Sequence, residues 1–427
     1  MKKRTRPQVA IIGTGFMGRG VFLQSVLTGR FDCPAVCDKR PESFLKLLSA
    51  RGVPYARVQN FSEMKRALSK KILAVCRDVR LITDCPALDA VVDATGDVRE
   101  AVTFCADAIK NKKHLIMINS EADLMFGSYL AELARKNKVV YTSCDGDQYG
   151  VLKRMIEEIK LWGFQVVMAG NMKGFLDRYA NEASVAGEAS KRGFDPKMCA
   201  CFTDGTKLNI EMAIMANSEG YVTPKTGMLG PRVSHVRDVL TAFDLPKLWK
   251  THKTFVDYIL GAEPNGGVYV VGYCDDPYQK KVLETYKMGD GPFYVFYRPY
   301  HLCFFESAGT ILDAVVNKKA LMHSRRALAT NVFTYAKKDL SPGDLLDGPG
   351  GFTCYGLIEN MADQKDKEGL PICLADDVRV KRDIKKDAKI LLRDVEYDPA
   401  RADYAGYYQK VLGRKSQKVN GEGKKCR

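Results

Sequence analysis

Histidine and tryptophan are scarce in this sequence, with 5 and 2 among 427 residues. The 13 cysteines are scattered, and neither Cys33 with Cys37 nor Cys199 with Cys201 is followed by a second pair at zinc-site spacing. A structural zinc site therefore has few ligands to draw on, and we expect no metal centre of that kind. The cysteines are expected to be reduced thiols, most of them buried.

Long apolar runs are also missing. Runs such as Val91–Val92 and Ile116–Ile118 fall far short of the ~20 residues that span a bilayer. The first residues, MKKRTRPQ, are basic, but the apolar run Val9–Ile12 behind them is too brief for a signal peptide. These absences predict a cytoplasmic protein that has no membrane partner.

The unusual total is the charge, because 66 Lys and Arg against 51 Asp and Glu give a formal net charge of +15. Part of it lies in a polar, basic tail at 413–427 that we expect to be disordered. No basic stripe is studded with aromatic residues, so we expect a small anionic substrate and no specific nucleic-acid partner. The length predicts two or three domains, and we expect a homo-oligomer.

The most informative motif is VAIIGTGFMG at 9–18, which joins a β-favouring run to a helical pattern at 16–27. The first glycine permits a tight turn, the second lets a pyrophosphate approach bare backbone, and the third lets the helix pack on the strand. The helix N-terminus adds unpaired N–H groups and partial positive charge. We predict that the loop binds a dinucleotide through Gly13, Thr14, Gly15, Phe16, Met17 and Gly18.

Three later segments support a parallel sheet whose carboxyl ends face the dinucleotide. The apolar run 33–37 ends at Asp38, twenty positions after Gly18, where a carboxylate would bind the ribose hydroxyls. The segments LDAVVDATGD (88–97) and HLIMIN (114–119) each predict a buried strand that ends in small and polar residues. Further coenzyme contacts are expected at Thr95, Gly96, Asn119 and Glu121.

The type of coenzyme stays open between NAD(H) and NADP(H), with a slight preference for NADP(H). Asp38 favours an unphosphorylated ribose, because its charge would repel a 2′-phosphate. Lys39 and Arg40 follow at once and could bind that phosphate, although both are equally compatible with a solvated loop.

A candidate catalytic group lies in CFTDGTKLNIEMAIMANSEG at 201–220. The pattern predicts a buried helix from 206 to 215, yet Asp204, Lys207 and Glu211 share one of its faces. A buried lysine between carboxylates can polarise or protonate a carbonyl oxygen that receives a hydride. The alternative is a structural salt bridge that closes the domain.

Other candidates are spread over neighbouring loops. Lys173, in AGNMKGF, is a second catalytic candidate or a solvated loop lysine. The loop of Asp147 and Gln148 is expected at the rim of the nicotinamide pocket. In FYVFYRPYHLCFFES (293–307), Arg298 could bind an anionic group and His301 could carry a proton. The substrate-binding candidates are Asp147, Gln148, Thr206, Arg298 and His301.

The domain prediction follows from these patterns. It places a Rossmann domain at 1–155 and an α+β substrate domain at 156–329, with a helix at 306–321 packing back on the Rossmann sheet. AKKDLSPGDLL (336–346) and VKRDIKKDAKIL (380–391) echo one another and predict a small β-rich module at 330–398. Residues 399–427 are expected to form a tail.

Several motifs together carry a family resemblance: IGTGFMG, VVDATGD, HLIMINSEADLMFG, CDGDQYG, FTDGTKLNIEM, YRPYHL and the paired A/V-K-K/R-D-L/I motif. They resemble the homoserine-dehydrogenase-like NAD(P)-dependent oxidoreductases with a C-terminal SAF domain, a group that includes the 1-deoxy-D-xylulose 5-phosphate reductoisomerase-like enzymes. The resemblance covers nearly the whole chain except the basic tail. It implies a doubly wound Rossmann domain, an α+β substrate domain, a β-clip-like SAF module and hydride transfer, with Lys207 as the counterpart of a catalytic lysine.

The sequence departs from this family at one point. In homoserine dehydrogenases the sequence after the fourth strand looks like T-A-N-K, in which a lysine follows the asparagine. Here Asn119 is followed by Ser120, which carries no charge. We therefore expect an NAD(P)H-dependent oxidoreductase acting on a small, anionic, phosphorylated carbonyl or sugar-derived substrate, in a reductoisomerase-like reaction. The carboxylates of Asp204, Glu211 and Glu121 could bind a divalent cation, but their spacing in the sequence is not diagnostic of a metal site. The alternatives are homoserine-type alcohol oxidation and a non-catalytic dinucleotide sensor or assembly protein.

Overall fold

The computed structural model describes residues 6–193, 195–364 and 368–414. Its first part is a seven-stranded parallel sheet in the order β3-β4-β2-β1-β5-β6-β7. The strands are β1 (Val9–Ile12), β2 (Ala35–Cys37), β3 (Tyr55–Arg57), β4 (Leu73–Cys76), β5 (Ala90–Asp93), β6 (His114–Met117) and β7 (Tyr141–Ser143). The helices between and after them are α1 (Phe16–Thr28), α2 (Glu42–Ala50), α3 (Phe61–Ser69), α4 (Arg80–Thr83), α5 (Val98–Lys110), α6 (Ser120–Asn137) and α7 (Gln148–Leu161).

The order of the strands reverses between β1 and β5, and this point positions the glycine loop. From β1 the chain moves to β2 and then to the edge strand β3, comes back to β4 between them, and crosses to β5, from which it continues in the opposite direction through β6 and β7. The central strands are buried along their whole length, so both faces of the sheet are covered. In such a sheet ligands bind at the carboxyl ends of the strands, at the reversal. The predicted Rossmann fold is confirmed.

The second part is built on a four-stranded mixed sheet in the order β11-β10-β8-β9. Its strands are β8 (Gln165–Lys173), β9 (Phe255–Leu260), β10 (Val268–Tyr273) and β11 (Phe293–Arg298). Its helices are α8 (Glu182–Arg192), α9 (Pro196–Thr203), α10 (Thr206–Glu219), α11 (Val239–Ala242), α12 (Leu245–Leu248), α13 (Pro277–Thr285) and α14 (Ser307–Val315). Helix α7 runs without a break across the predicted boundary at 155 and leads into β8.

Helix α14 is shorter than the predicted 306–321. It packs on β6, β7 and α1, so the chain does return to the first sheet. Beyond Val315 the chain turns along β7, where the N–H of Leu321 donates to the Thr142 hydroxyl over 2.9 Å. Lys318 has a left-handed backbone (φ 55°), which ends the helical path.

The C-terminal module contains an antiparallel pair, β12 (Thr330–Ala336) with β14 (Cys354–Asn360). A second sheet joins β13 (Leu345–Asp347), β15 (Asp376–Val380) and β16 (Val395–Glu396). The two echoing segments pair with each other, because Leu340 and Ile384 exchange both backbone hydrogen bonds at 2.9 Å. The echo therefore has a structural counterpart, whereas membership of the SAF family stays a prediction.

Residues 402–411 differ from the predicted tail. They form α15 (Ala402–Ala405) and a π-helical turn (Gly406–Val411) that pack on α5 and α6 of the Rossmann domain. Tyr404 and Tyr407 are buried there, and the Asn331 side chain donates to the Tyr407 hydroxyl over 2.8 Å. The aromatic residues at helical spacing explain the difference, since they provide the apolar face. The stretch predicted to be disordered lies outside the described residues from 415 onward.

Two expectations about the whole chain can be compared with the described residues. The twelve cysteines among them are free thiols, most of them buried, as expected. Within the same ranges, every helix is too short or too polar to cross a bilayer. Short 3-10 turns complete the described elements.

Candidate active site

The glycine loop between β1 and α1 combines two crowded glycines with an open one. A Cβ on Gly13 (φ 90°) would lie 2.7 Å from the Ala94 carbonyl, and one on Gly18 would lie 1.9 Å from the Gly13 oxygen. A Cβ on Gly15 would meet no atom within 4 Å. Gly13 and Gly18 are thus required by packing, whereas Gly15 leaves backbone open to a ligand at the N-terminus of α1.

The ribose candidate Asp38 is turned toward the glycine loop. Its carboxylate accepts the Thr14 N–H at 2.6 Å, the Thr14 hydroxyl at 2.7 Å and the Arg40 N–H at 2.7 Å. Lys39 pairs with Glu100 at 2.8 Å, and Arg40 is exposed. Asp38 therefore orders the loop, and Arg40 is the more accessible cation.

Phe16 and Met17 flank the open glycine on α1. Phe16 is 47% exposed, and the edge of its ring meets Phe304 at a centroid distance of 5.7 Å. Met17 is half-buried and packs on the core beneath the sheet. The return segment, defined as residues 299–306 between β11 and α14, thus covers one side of the glycine loop.

The ends of β5 and β6 are tied together by polar side chains. Asp93 is fully buried and accepts the N–H and hydroxyl of Thr95 at 2.9 and 2.7 Å, and burial raises its pKa to about 7. Asn119 caps α6 and donates to the Thr95 hydroxyl at 3.2 Å and to the Asp97 carbonyl at 3.1 Å. A Cβ on Gly96 would meet open space. Asn119 therefore links the loop after β5 to the loop after β6, both of which are predicted to contact the coenzyme.

Lys207 reaches from α10 to the first turn of α6. Its ammonium donates to the Ser120 hydroxyl and lies 3.5 Å from Glu121, and Ser120 donates to Glu121 at 3.0 Å. Burial alone would lower the pKa of Lys207, but Glu121, Asp147 and Glu211 outweigh it and raise that pKa. Burial likewise opposes ionisation of Glu121, yet Lys207 keeps its pKa below the usual value. The pair is therefore charged at neutral pH.

Glu211 lies one helical turn further along α10 and is 4% exposed. Burial first, and the charge of Asp147 second, raise its pKa to about 8, although Lys207 and Lys173 act against the shift. The Lys173 ammonium donates to the Phe202 carbonyl at 2.7 Å. A largely neutral carboxylic acid thus lies beside a permanent cation, an arrangement that can donate a proton and stabilise an oxyanion.

Three of the five substrate-binding candidates meet next to this pair. Asp147 and Gln148 begin α7, and Gln148 contacts His301 of the return segment, with 3.3 Å between the two Nε2 atoms. Gln148 also accepts from Asn171 of β8. His301 Nδ1 lies 3.0 Å from the Gly146 carbonyl. The rim loop, β8 and the return segment therefore converge.

Arg298 is placed differently from the prediction. It forms an ion pair with Glu306, and its guanidinium lies over the Tyr300 ring at 4.6 Å. Since Glu306 also accepts the Leu302 N–H at 3.0 Å, Arg298 holds the return segment in shape. A role in anion binding would require it to exchange this partner.

The predicted trio of Asp204, Lys207 and Glu211 is wrong in one member. Asp204 is 2% exposed and pairs with Lys337 of the C-terminal module at 2.7 Å. Burial raises the pKa of Asp204 despite that pair. Thr206 is fully buried and accepts the N–H of Gly356 in β14 at 3.0 Å, so it offers no surface to a substrate. One face of α10, with Thr206 and Asn209, therefore packs on the C-terminal module, while Lys207 and Glu211 belong to the site.

Sequence reasoning missed several participants. Asp93 stands in the quoted VVDATGD motif, and its position at a buried strand end was a usable signal. Cys303 lies two residues after His301 and comes close to Asp147, which only the fold brings together. Asn171 is in the middle of a strand, where sequence gives no sign of a role.

The catalytic region matches a known family in part. Residues 146–307 match the family oxidoreductase DRL, catalytic domain. The match begins at the loop after β7, ends at the start of α14 and includes Lys207, Glu211 and His301. The matched family is a family of oxidoreductases, and the match follows a Rossmann domain, in agreement with the predicted class of NAD(P)-dependent oxidoreductase. No curated protein sequence matches the chain.

Solved structures resemble the chain distantly. The 1-deoxy-D-xylulose 5-phosphate reductoisomerase from Zymomonas mobilis in complex with NADPH is 14% identical over 48% of this chain and 56% of its own, with a TM-score of 0.34. A probable dehydrogenase from Thermotoga maritima is 11% identical over 95% and 87% (TM-score 0.34). The apo scyllo-inositol dehydrogenase from Lactobacillus casei is 11% identical over 74% and 89% (TM-score 0.39). The chain spans little more than half of the reductoisomerase, and likenesses at this level say nothing about the substrate.

Proposed function

We propose that this protein transfers a hydride between a nicotinamide coenzyme and a small anionic, phosphorylated carbonyl compound. The observation that carries the proposal is the Lys207 ammonium, which Ser120 and Glu121 hold beside the coenzyme loops. Ser120 stands where the lysine follows the asparagine in the T-A-N-K pattern of homoserine dehydrogenases, and Lys207 brings a positive charge to this position. This arrangement favours a catalyst over a non-catalytic sensor.

The proposed reduction needs two groups from the protein. A bound dihydronicotinamide would supply the hydride to the carbonyl carbon, and the carbonyl oxygen, which gains the C=O π electrons, would need one proton from the protein. Lys207 stays charged and stabilises the developing alkoxide. Glu211 is protonated at neutral pH and donates the proton, because its pKa lies close to the working pH. Oxidation of an alcohol would use the same groups in reverse.

The surroundings of the ribose favour NADP(H). Asp38 is occupied by Thr14 and Arg40, so its charge is partly compensated by three donors. Arg40 is exposed and available to a 2′-phosphate, whereas Lys39 already has Glu100. We expect a lower KM for NADPH than for NADH, and Arg40→Ala is expected to remove the difference by raising KM for NADPH alone.

Lys207→Met tests the proposed function. The variant should lose about 10²–10³-fold in kcat, the range seen when one oxyanion donor is removed, while calorimetry shows coenzyme binding nearly unchanged. Phosphorylated sugars, hydroxy acids and aldehydes are screened by the change in nicotinamide absorbance. Lys160→Met is the matched control, because Lys160 also pairs with a buried glutamate, at the far end of α10.

Three results would contradict the proposal. Turnover that survives Lys207→Met removes Lys207 from its role. Tight coenzyme binding without turnover of any compound in the screen would favour the sensor. Failure to bind either coenzyme would reject both functions.

A further inference from the structure

Asp147, His301 and Cys303 bring three different metal-ligand types to one point. One carboxylate oxygen, one imidazole nitrogen and the thiol sulfur all lie within 4.8 Å of one another. Asp147 begins α7, whereas His301 and Cys303 belong to the return segment, so two distant parts of the chain supply them. All three are half-buried, which leaves a path from solvent.

The backbone fixes this meeting. The carbonyl of Gly146 accepts the Cys303 N–H at 2.9 Å and lies 3.0 Å from His301 Nδ1. Gly146 has a left-handed backbone (φ 99°), and a Cβ there would lie 1.7 Å from the Cys303 carbonyl oxygen. Only glycine allows the return segment to approach the loop of Asp147 so closely. The two halves of the cluster are therefore held in register without help from their side chains.

The hydrogen bonds also select the form of His301 that binds metals. Asn171 donates to the Gln148 amide oxygen, so the Gln148 amide nitrogen is the atom near His301 Nε2. That nitrogen is a donor, so Nε2 must carry the lone pair and Nδ1 the proton given to Gly146. In metal-bound histidines one imidazole nitrogen usually donates to a backbone carbonyl and the other binds the metal. A metal at Nε2 would therefore replace the Gln148 N–H as the partner of that nitrogen.

We propose that Asp147, His301 and Cys303 form a binding site for a divalent transition metal of the zinc class. The ligand set of oxygen, nitrogen and sulfur suits zinc, whereas magnesium prefers oxygen alone. A thiolate and a carboxylate would together balance the two positive charges. A tetrahedral ion with bonds of about 2.0–2.3 Å places its ligands roughly 3.3–3.8 Å apart, so no two of the ligand atoms need to close by more than about 1.5 Å.

Three protein ligands leave a fourth position open, as in catalytic rather than structural zinc sites. The cluster adjoins Glu211 and Lys207, whose charges act on Cys303. The open position would therefore take water or the carbonyl oxygen of the substrate, and the metal would polarise that carbonyl as a Lewis acid. This catalytic role rests on the proposed function, but metal binding itself does not.

Cobalt(II) provides a direct test, because it occupies zinc sites and its spectrum reports the ligands. The full-length chain is freed of metal with a chelator, titrated with Co²⁺ under reducing conditions, and then challenged with Zn²⁺ and with excess Mg²⁺. We expect one Co²⁺ per chain, a thiolate-to-cobalt charge-transfer band, displacement by Zn²⁺ and no displacement by Mg²⁺. Cys303→Ser should abolish the band, and His301→Gln should weaken Co²⁺ binding at least tenfold.

Cys33→Ser is the matched control, because Cys33 is also a partly buried free thiol but precedes the amino end of β2, whereas Asp147 follows the carboxyl end of the parallel strand β7. It should leave the band intact, and thermal unfolding with coenzyme binding verifies that each variant is folded. The proposal is overturned if no Co²⁺ binds, if the band persists in Cys303→Ser, or if Mg²⁺ displaces the ion. Metal binding without turnover would reject only the proposed function, and turnover that no chelator affects, with no cobalt band, would reject only the metal site.

Discussion

The three glycines of the first loop are glycines for different reasons. Gly13 and Gly18 lie against backbone atoms, and Gly13 also has a positive φ. Gly15 has an ordinary φ of −68° and faces open space. These differences agree with the three roles that the motif predicts, so substitutions of the glycines should separate folding from coenzyme binding.

Gly15→Ala should leave the free energy of unfolding nearly unchanged and raise the Kd of the coenzyme about tenfold, which is about 1.4 kcal/mol. Gly18→Ala should instead destabilise the fold by about 1–3 kcal/mol, because its methyl group overpacks the junction of β1 and α1. Urea unfolding and calorimetry measure the two effects. A Gly15→Ala variant that unfolds more easily yet binds coenzyme normally would contradict this division.

Glu211 should make the kcat of the reduction fall on the alkaline side of its pH profile, which is called the alkaline limb below. The group donates a proton only while protonated, so kcat should fall as the pH rises through about 8. Glu211→Gln should lower kcat by at least ~10²-fold and remove that limb. The measurement is kcat against pH with saturating substrate. A limb that persists in Glu211→Gln would assign the proton to another group.

The same residue should also affect stability. Burial raises the folded pKa of Glu211 above its unfolded value, so its contribution to stability is complete below the unfolded pKa, about 4.3, and is lost as the pH rises through about 8. Glu211→Gln cannot ionise and should therefore gain stability relative to the natural chain over this interval. Unfolding at several pH values checks the sign.

Helix α10 illustrates how one element can serve two neighbours. Its apolar faces are buried all round, and its polar residues divide between partners. Asp204, at the end of α9, forms an ion pair with Lys337 of the C-terminal module, and Asn209 accepts the N–H of Ile358 in the same module. Lys207 projects toward α6. The helix thereby couples the site to the module.

Removing one partner of the buried Asp204–Lys337 pair should be costly. Lys337→Met alone should destabilise the fold by about 3–5 kcal/mol, because it leaves an uncompensated buried carboxylate. The double variant Asp204→Asn, Lys337→Met should lose less than the sum of the single variants. Urea unfolding of the two single variants and the double variant gives the free energies of this double-mutant cycle. The kcat of folded Asp204→Asn should be retained, and its loss without destabilisation would return Asp204 to a catalytic role.

The segment of α15 and the π-helical turn connects the C-terminal module to the Rossmann domain. Tyr404 of α15 is 1% exposed and donates to the Leu374 carbonyl at 3.0 Å. Helix α15 packs on α5, and the π-helical turn after it packs on α6. This segment fastens the C-terminal module to the Rossmann domain. A chain that ended at the predicted module boundary of 398 would lose that contact.

Tyr404→Ala should lower the free energy of unfolding by about 3–5 kcal/mol, as for other buried aromatic residues. Tyr286→Ala is the matched control, because Tyr286 is 74% exposed, and it should change stability by less than about 0.5 kcal/mol. Urea unfolding compares the two variants. Equal effects would show that the helix is not a fastening element.

The first sheet, the glycine loop, the helix at 206 and the module at 330 could be predicted, because each depends on patterns within a few neighbouring residues. Strand hydrophobicity, glycine spacing and helical periodicity are local properties. The partner of Asp204, the meeting of Asp147 with Cys303 and the docking of Tyr404 could not be predicted. Each joins residues far apart in sequence, and only the packed chain decides which of several possible charges or apolar faces comes within reach.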